Sequence, residues 1–497
     1  MIGAGLAGLA ATERLLDDGA QVVVVDSFPR PGGRTANFDV RTNVAGLVPG
    51  DVVEHGLHAW FQHYTGVYGL MARAGVPKPP FAGRGVHLWH PEQGHVTIQG
   101  GPFVWLANAL RLPRGLRGSR RSALSAFGRL ITYLDYALEN PQHSDRESAA
   151  ELFARMGVPA EAVSAVFAPC MYSLTSLPLD ELSALEMLRW MAAIIPDPRI
   201  RVLQGGGTTA MCEPIMQGLR ARGADFRLGV EVHRLSMDAH GRVRAELERA
   251  PDRTGLRHLL VPGFEPAEPP HPDRFDAILC TLPWERLWAL CKDDSRLAAW
   301  PAIAPLQELR NVHPLTIRLW FERPIEGAEE RYMLTVGTLF DVMRPTPEPE
   351  RHAGVRLIDA LVEDVDRHLP ELGYEREAYL PPGPAHDRIV TRVRSDLERM
   401  YPGQIRDNRV LRSFLHTREG IVACRPAVWE KRPTQYVGLP NFVLAGDWTR
   451  QGWGVCMEGA VRSGQLAATA LLRGAAPRAA RPKTYSHLAR SLLTLLE

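Results

Sequence analysis

The densest concentration of residues able to do chemistry lies between Met1 and Arg34. Gly3, Gly5 and Gly8 are spaced G-x-G-x-x-G. A helix-like run from Leu9 to Leu16 follows, then the apolar stretch Gln21 to Val25, and then Asp26. Each part has a physical task in holding a dinucleotide. Gly3 permits a tight turn, Gly5 lets backbone approach a pyrophosphate, and Gly8 allows close helix–strand packing. The start of the helix offers N–H groups and a positive dipole end to phosphate. The Asp26 carboxylate can accept hydrogen bonds from an adenosine ribose. A glycine triplet alone is weak evidence. Triplet, helix, strand and acid in this order point to a dinucleotide site in a doubly wound α/β domain.

A second glycine pair follows in Pro31-Gly32-Gly33-Arg34-Thr35. It suits a cofactor whose pyrophosphate and isoalloxazine lie across the strand ends, and equally a plain Pro-Gly surface turn. The other strong stretch is Asn441 to Leu472, where a strand ends at Ala445, Gly446 opens a turn, Asp447 follows and a helix begins near Val455. A helix N-terminus there can place backbone N–H groups where negative charge gathers on a reduced ring system.

With these motifs the chain resembles the flavin-containing amine oxidase and carotenoid desaturase superfamily. The likeness to phytoene desaturases is close in Leu444-Ala445-Gly446-Asp447-Trp448-Thr449-Arg450-Gln451 and Met457-Glu458-Gly459-Ala460-Val461-Arg462-Ser463-Gly464. Gly56-Leu57-His58-Ala59-Trp60-Phe61 is similar to Gly-Leu-His-x-Phe-Phe of the plant and cyanobacterial desaturases. The resemblance implies FAD as cofactor. Gly33, Arg34, Gly446 and Asp447 would lie along its ribityl–pyrophosphate region, a Val232 backbone group at the adenine, and the Met457 N–H at the flavin pyrimidine edge. It also makes His58, Trp60 and Phe61 candidates for the substrate wall, although such residues equally build cores. Trp320 belongs to the strand-like run Pro314 to Phe321, which suits the floor of a substrate pocket.

The implied reaction is desaturation of a lipophilic isoprenoid by hydride transfer to flavin. The cofactor carries the hard step and the protein supplies an apolar channel and orientation. No Ser/His/Asp arrangement or paired catalytic carboxylates stand out, so no catalytic base is named. Amine oxidases of the superfamily commonly place an aromatic residue just before this Met; here it is Cys456, which disfavours an amine. A squalene-type lipid, an amine or a non-redox isomerisation remain alternatives. Reoxidation would need a second acceptor such as a quinone. Ala210 to Ile215 departs from the Arg-Leu-Cys-Met-Pro-Ile of plant phytoene desaturases, so identical substrate or quinone handling is not implied. The resemblance further implies a complete strand before the first glycine, whereas only Met1 and Ile2 precede Gly3. A misplaced start, a truncation and a domain that manages with a stub all fit.

These motifs need a scaffold, and 497 residues suffice for about two to four structural units. The expected architecture is a glutathione-reductase-like, Rossmann-type FAD-binding domain interleaved with an α+β substrate domain. The first comprises residues 1–75, 200–245 and 425–475, the second 76–199 and 246–424, and a tail runs over 476–497. Asp225 to Leu235 reads as one strand, and Leu357 to Leu369 and Asp387 to Tyr401 as solvated outer helices. Glu147 to Met156, Glu161 to Tyr172 and Asp180 to Ile194 read as a helical cap.

A net charge of +2, with no basic helix or finger spacing, gives no case for nucleic acid. Six scattered cysteines without a C-x-x-C pair read as buried thiols of a reducing cytoplasm, and no metal site is expected. The chain leaves no room for a signal peptide and holds no run of membrane-spanning length. Between Glu92 and Asp135, however, there is no acidic residue, while Arg111, Arg114, Arg117, Arg120, Arg121 and Arg129 are interleaved with apolar residues. Residues 103–131 therefore suit peripheral contact with an anionic lipid surface, or a basic loop over a core helix. A cytoplasmic protein, peripheral at the inner face of the membrane, is the localisation that follows.

Overall fold

The computed structural model describes the chain except for residues 41–45, 55, 83–84, 100–119, 195–196, 198, 204–206, 252–260, 262, 272–274, 330, 349–352, 375–378, 418–419, 478 and 480–497. The glycine-rich start forms a strand stub, a turn and the helix Leu6–Asp17, then the strand Val23–Asp26. That strand pairs in parallel with Asp225–Leu228. Ile278–Cys280 pairs in parallel with Phe442–Leu444, which carries antiparallel Tyr436–Leu439 on its other side. The stub joins the two halves. Ile2 forms parallel bridges to both Val25 and Cys280. Its N–H donates to Leu279 O at 2.8 Å, and Gly3 N–H donates to Val25 O at 2.8 Å. Two residues ahead of the glycine thus keep the central ladder hydrogen-bonded on both sides.

The helix Leu6–Asp17 packs against the closing helix Met457–Arg473 through small residues. A Cβ placed on Gly464 would lie 2.1 Å from Ala7 O, so glycine is what lets the two backbones approach this closely. The first and last elements of the described chain therefore share one interface.

A second, seven-stranded sheet runs in the order Val410–Thr417, Leu315–Phe321, Leu357–Val362, Val342–Thr346, Met333–Thr335, Gly85–His90, Gly94–Gln99. One face carries Leu315, Ile317, Leu319, Phe321, Ile358, Ala360 and Val362, and it packs on Ile389, Val393 and Leu397 of the helix Pro384–Met400. The other face looks toward the strand Val52–Glu54, where Arg318 donates to Val52 O, and holds a buried ionic strip. Arg318 Nε donates to Asp359 Oδ1 at 2.6 Å, and Arg344 lies 3.4 Å from Glu54 and 3.5 Å from Asp359. Burial raises the Asp359 carboxyl, but Arg318 and Arg344 outweigh it and hold the group below its ordinary value.

Two elements differ from expectation. Leu357–Val362 is a fully buried strand, not the start of an outer helix. Its run LIDALV is apolar on both faces apart from Asp359, which the arginines neutralise, and such a run does not separate strand from helix by spacing. Asp225 to Leu235 is two strands, broken at Gly229 with φ +74°. The cap helices form around local signals. Ser148 and Glu151 make a reciprocal capping box at the start of Ala149–Met156, and Gly157 ends it in the left-handed region. The third cap helix begins at Ala184 rather than Asp180.

Of the basic segment, 103–119 lies outside the described residues. The helix Arg120–Glu139 follows, in which Arg129 donates to Met156 O at 2.6 Å, at the end of Ala149–Met156. Among the described residues no helix is long and apolar enough to cross a membrane.

Candidate active site

The two glycine motifs meet back to back. Gly32 N–H donates to Ala4 O at 2.9 Å, and a Cβ on Gly33 (φ +54°) would lie 3.3 Å from Gly5 Cα. Gly8 is tighter still, since a Cβ there would lie 2.0 Å from Gly3 O. Gly5 is the N-cap of the helix Leu6–Asp17, and no side chain caps that end. Asp26, at the end of its strand, accepts from Ala4 N–H at 2.6 Å and Phe28 N–H at 2.8 Å. The carboxylate is thereby fixed at the rim of the glycine turn. Val232 packs in the same cluster as Ile2 and Val25, next to this end of the sheet.

Residues from the far end of the chain close the cradle. Arg34 forms an ion pair with Asp447, across 413 positions of sequence. Gly446, at φ +133°, donates its N–H to Ser463 Oγ at 2.9 Å, and Ser463 also meets Thr449 Oγ1 at 2.8 Å. Met457 is the first residue of the closing helix, whose N-cap is Cys456 with no capping side chain. Glu458, fully buried, accepts from Gly66 and Val67 N–H at 2.9 and 3.0 Å, and so ties the helix Thr65–Arg73 to the closing helix.

These features fit a dinucleotide with a diphosphate bridge. The two glycine turns lie so close that a Cβ on Gly33 would press on Gly5 Cα, and bare backbone is left at the approach. The uncapped helix end faces it with N–H donors, and Asp26 and the Arg34–Asp447 pair flank it.

Of the candidates for a substrate wall, His58 holds Arg34 O through Nε2 at 3.0 Å, and Tyr332 OH donates to His58 O. Trp60 and Phe61 lie in the cluster that also contains Tyr64, Trp190 and Met191 and against which Cys456 and Met457 pack. Trp320 is elsewhere. It sits with Val40, Leu47, Val53, Leu357 and Phe414, with the Arg412 guanidinium 4.1 Å from its ring centre. Among the described residues no group of three or more His, Cys, Asp or Glu side chains is arranged to hold a metal. All six cysteines are unpaired thiols.

Sequence reading assigned no role to His63, Glu186, Arg432 or Ser463, and none to Glu458 within its quoted motif. His63 stacks on Trp453 with ring centres 5.4 Å apart and on Phe61 at 5.6 Å. Burial drives its pKa down to about 3, Arg462 adds to the shift, and a backbone bond to Ala193 opposes it. Because the folded pKa lies below the unfolded one, the unfolded chain binds the extra proton as pH falls. His63→Phe is therefore expected to reduce the loss of stability between about pH 6.5 and 3. Urea unfolding at pH 7 and pH 4.5 checks this, and equal pH sensitivity of the two proteins would reject it.

Residues 6–472 match the family described as flavin containing amine oxidoreductase. A probable zeta-carotene desaturase of Synechococcus elongatus is 24% identical, over 96% of this chain and 98% of its own. The zeta-carotene desaturase of Synechocystis is 25% identical over 95% and 96%, and a 15-cis-phytoene desaturase of Synechococcus elongatus is 23% identical over 95% and 94%. Among solved structures, an oxidoreductase from Methanosarcina mazei superposes with TM-score 0.64 at 15% identity, covering 95% of this chain and 99% of that one. Cyclohexylamine oxidase from Brevibacterium oxydans gives 0.63 at 16%, covering 95% and 98%. The mixed α/β fold is thus that of flavin oxidoreductases, and the chain belongs to the flavin containing amine oxidoreductase family.

Proposed function

We propose that the protein is an FAD-dependent desaturase of a lipophilic isoprenoid of the carotene or phytoene type. The observation that carries the reading is the near full-length likeness to carotene and phytoene desaturases, joined to Cys456 where an amine cage would need an aromatic ring. Gly3, Gly5, Gly8 and the helix end behind them would hold the pyrophosphate. Asp26 would take the ribose and a Val232 backbone group the adenine. Gly33, Arg34, Gly446 and Asp447 would line the ribityl–pyrophosphate region, with the Met457 N–H at the pyrimidine edge. When bound, FAD supplies a hydride acceptor at N5. The chain's own part is to orient an extended apolar substrate and exclude water, with His58, Trp60 and Phe61 as the proposed wall. The cofactor-binding unit (1–75, 200–245, 425–475) would follow the glutathione-reductase-like arrangement, with 76–199 and 246–424 enclosing the substrate. Of the expected tail, residues 478 and 480–497 lie outside the described residues.

Anaerobic addition of carotene-type polyenes to the flavin-loaded protein tests the reading. The expected result is bleaching of the flavin band with a longer polyene chromophore. A geometry change without oxidation would make the protein an isomerase, and bleaching by amines alone would overturn the lipid reading.

A quinone would serve as electron acceptor, reached from a peripheral position on the inner face of a membrane through 103–131. Liposome flotation on anionic vesicles is expected to weaken when Arg117, Arg120 and Arg121 become Glu. Unchanged flotation would reject that patch.

A further inference from the structure

Behind the turn that carries Gly446 and Asp447 lies a cluster of two arginines and two acidic side chains with almost no access to water. Arg432, Arg189, Glu186 and Asp145 are 2%, 3%, 2% and 4% exposed. Arg432 donates from Nε to Trp448 O at 2.7 Å and from Nη2 to Asp447 O and Thr449 O, both at 2.8 Å. One guanidinium therefore holds three consecutive carbonyls. Asp447 is fixed at both ends, its carbonyl by Arg432 and its carboxylate by Arg34.

Glu186 secures the other flank. Its Oε1 accepts from Val455 N–H at 2.6 Å, two residues before Met457. Its Oε2 lies 3.8 Å from Arg432 and 3.6 Å from Arg189. Arg189 covers the Trp429 ring at 3.9 Å. Asp145 accepts from Trp429 N–H at 2.6 Å and Ser183 Oγ at 2.5 Å. Gly454 fits between, since a Cβ there would meet Trp190 Nε1 at 2.8 Å and Glu186 Oε1 at 3.2 Å.

A buried ion pair is weak evidence for stability, because desolvation offsets the attraction, and an apolar replacement of the whole pair is often neutral. Its directed hydrogen bonds to the backbone are a different matter. We propose that Arg432 and Glu186 are positioning residues. They hold the 447–455 loop in its cofactor-receiving geometry in advance, so that the Asp447 carboxylate and the Met457 N–H are in place before FAD arrives. The proposal rests on the reading of this loop as flavin-facing.

The test separates positioning from folding. Glu186→Met with Arg432→Met removes one cation and one anion and leaves Arg189 beside Asp145. This double variant is expected to fold but to melt below the wild-type temperature as apoprotein, because three carbonyls and the Val455 N–H lose their partners. If the receptive geometry falls to about a tenth of the population, the apparent Kd for FAD rises about tenfold. The visible circular dichroism of the bound flavin would change with it. Arg432→Lys, which keeps the charge but does not span three carbonyls, is expected to lie between. Wild-type affinity and an unchanged flavin spectrum in the double variant would overturn the proposal. Should the double variant fail to fold, the FAD dissociation rate of Arg432→Lys decides, and an unchanged rate overturns it. Failure of the wild-type protein to bind FAD would remove the functional reading as well, whereas equal binding by all variants removes only this inference.

Discussion

Gly8→Ala is expected to give protein that holds little or no FAD after purification. The added methyl carbon would sit 2.0 Å from Gly3 O and 3.0 Å from Gly3 C, both backbone atoms. No rotamer change relieves such a clash. The helix Leu6–Asp17 would have to move off the turn, and its contact with Gly464 of the closing helix would go with it. Overpacking against backbone costs about 3 kcal/mol or more, which corresponds to FAD affinity lower by about a hundredfold if the strain falls on the site. Quenching of flavin fluorescence on titrating the apoprotein measures it. Gly19→Ala is the control, because that position (φ +78°) has nothing within 4 Å and carries only backbone strain. Equal FAD retention by the two variants would show that the glycine turn does not receive the cofactor.

The second large effect concerns stability alone. Arg318→Met would leave Asp359, 2% exposed, without its 2.6 Å partner and with only Arg344 at 3.5 Å and Thr346 Oγ1 at 2.6 Å. Stranding a buried charge typically costs about 3–5 kcal/mol, and the remaining partners argue for the lower end. A clear fall in melting temperature is expected for the apoprotein. Arg318→Met combined with Asp359→Leu should recover most of it, since the pair is then replaced rather than broken. A single variant that melts like the wild type would mean that Arg344 and Thr346 suffice.

The parts of the site readable from sequence are those where one residue type answers one local geometric demand. Gly3, Gly5, Gly8 and Gly33 announce close backbone approach, and Asp26 follows its strand at a distance set by one helix. The pairing of Arg34 with Asp447 follows from the resemblance between motifs, not from any local signal. Arg432 and Glu186 were not legible, because a buried arginine and glutamate look like surface charges until the three carbonyls and the Val455 N–H they bind are known. Leu357–Val362 misled for a related reason. The burial of Asp359 depends on Arg318 and Arg344 in neighbouring strands, and no window along the chain contains them. Trp320 likewise lies on the expected strand, but its cluster is chosen by Val40, Val53 and Phe414 from distant segments.

The ion pair spanning 413 positions has a consequence for how the molecule is made. During synthesis the glycine turn and its helix emerge long before the helix that covers them. Until then their small-residue face has no native neighbour, and the cradle lacks Asp447 and Met457. Bringing such distant segments together carries a loop-closure cost that local helices do not meet, and topologies of this kind fold slowly. A nascent or shortened chain that lacks the closing helix would therefore expose an alanine- and glycine-rich surface suited to chaperone capture, and the cradle would be complete only once that helix has been made.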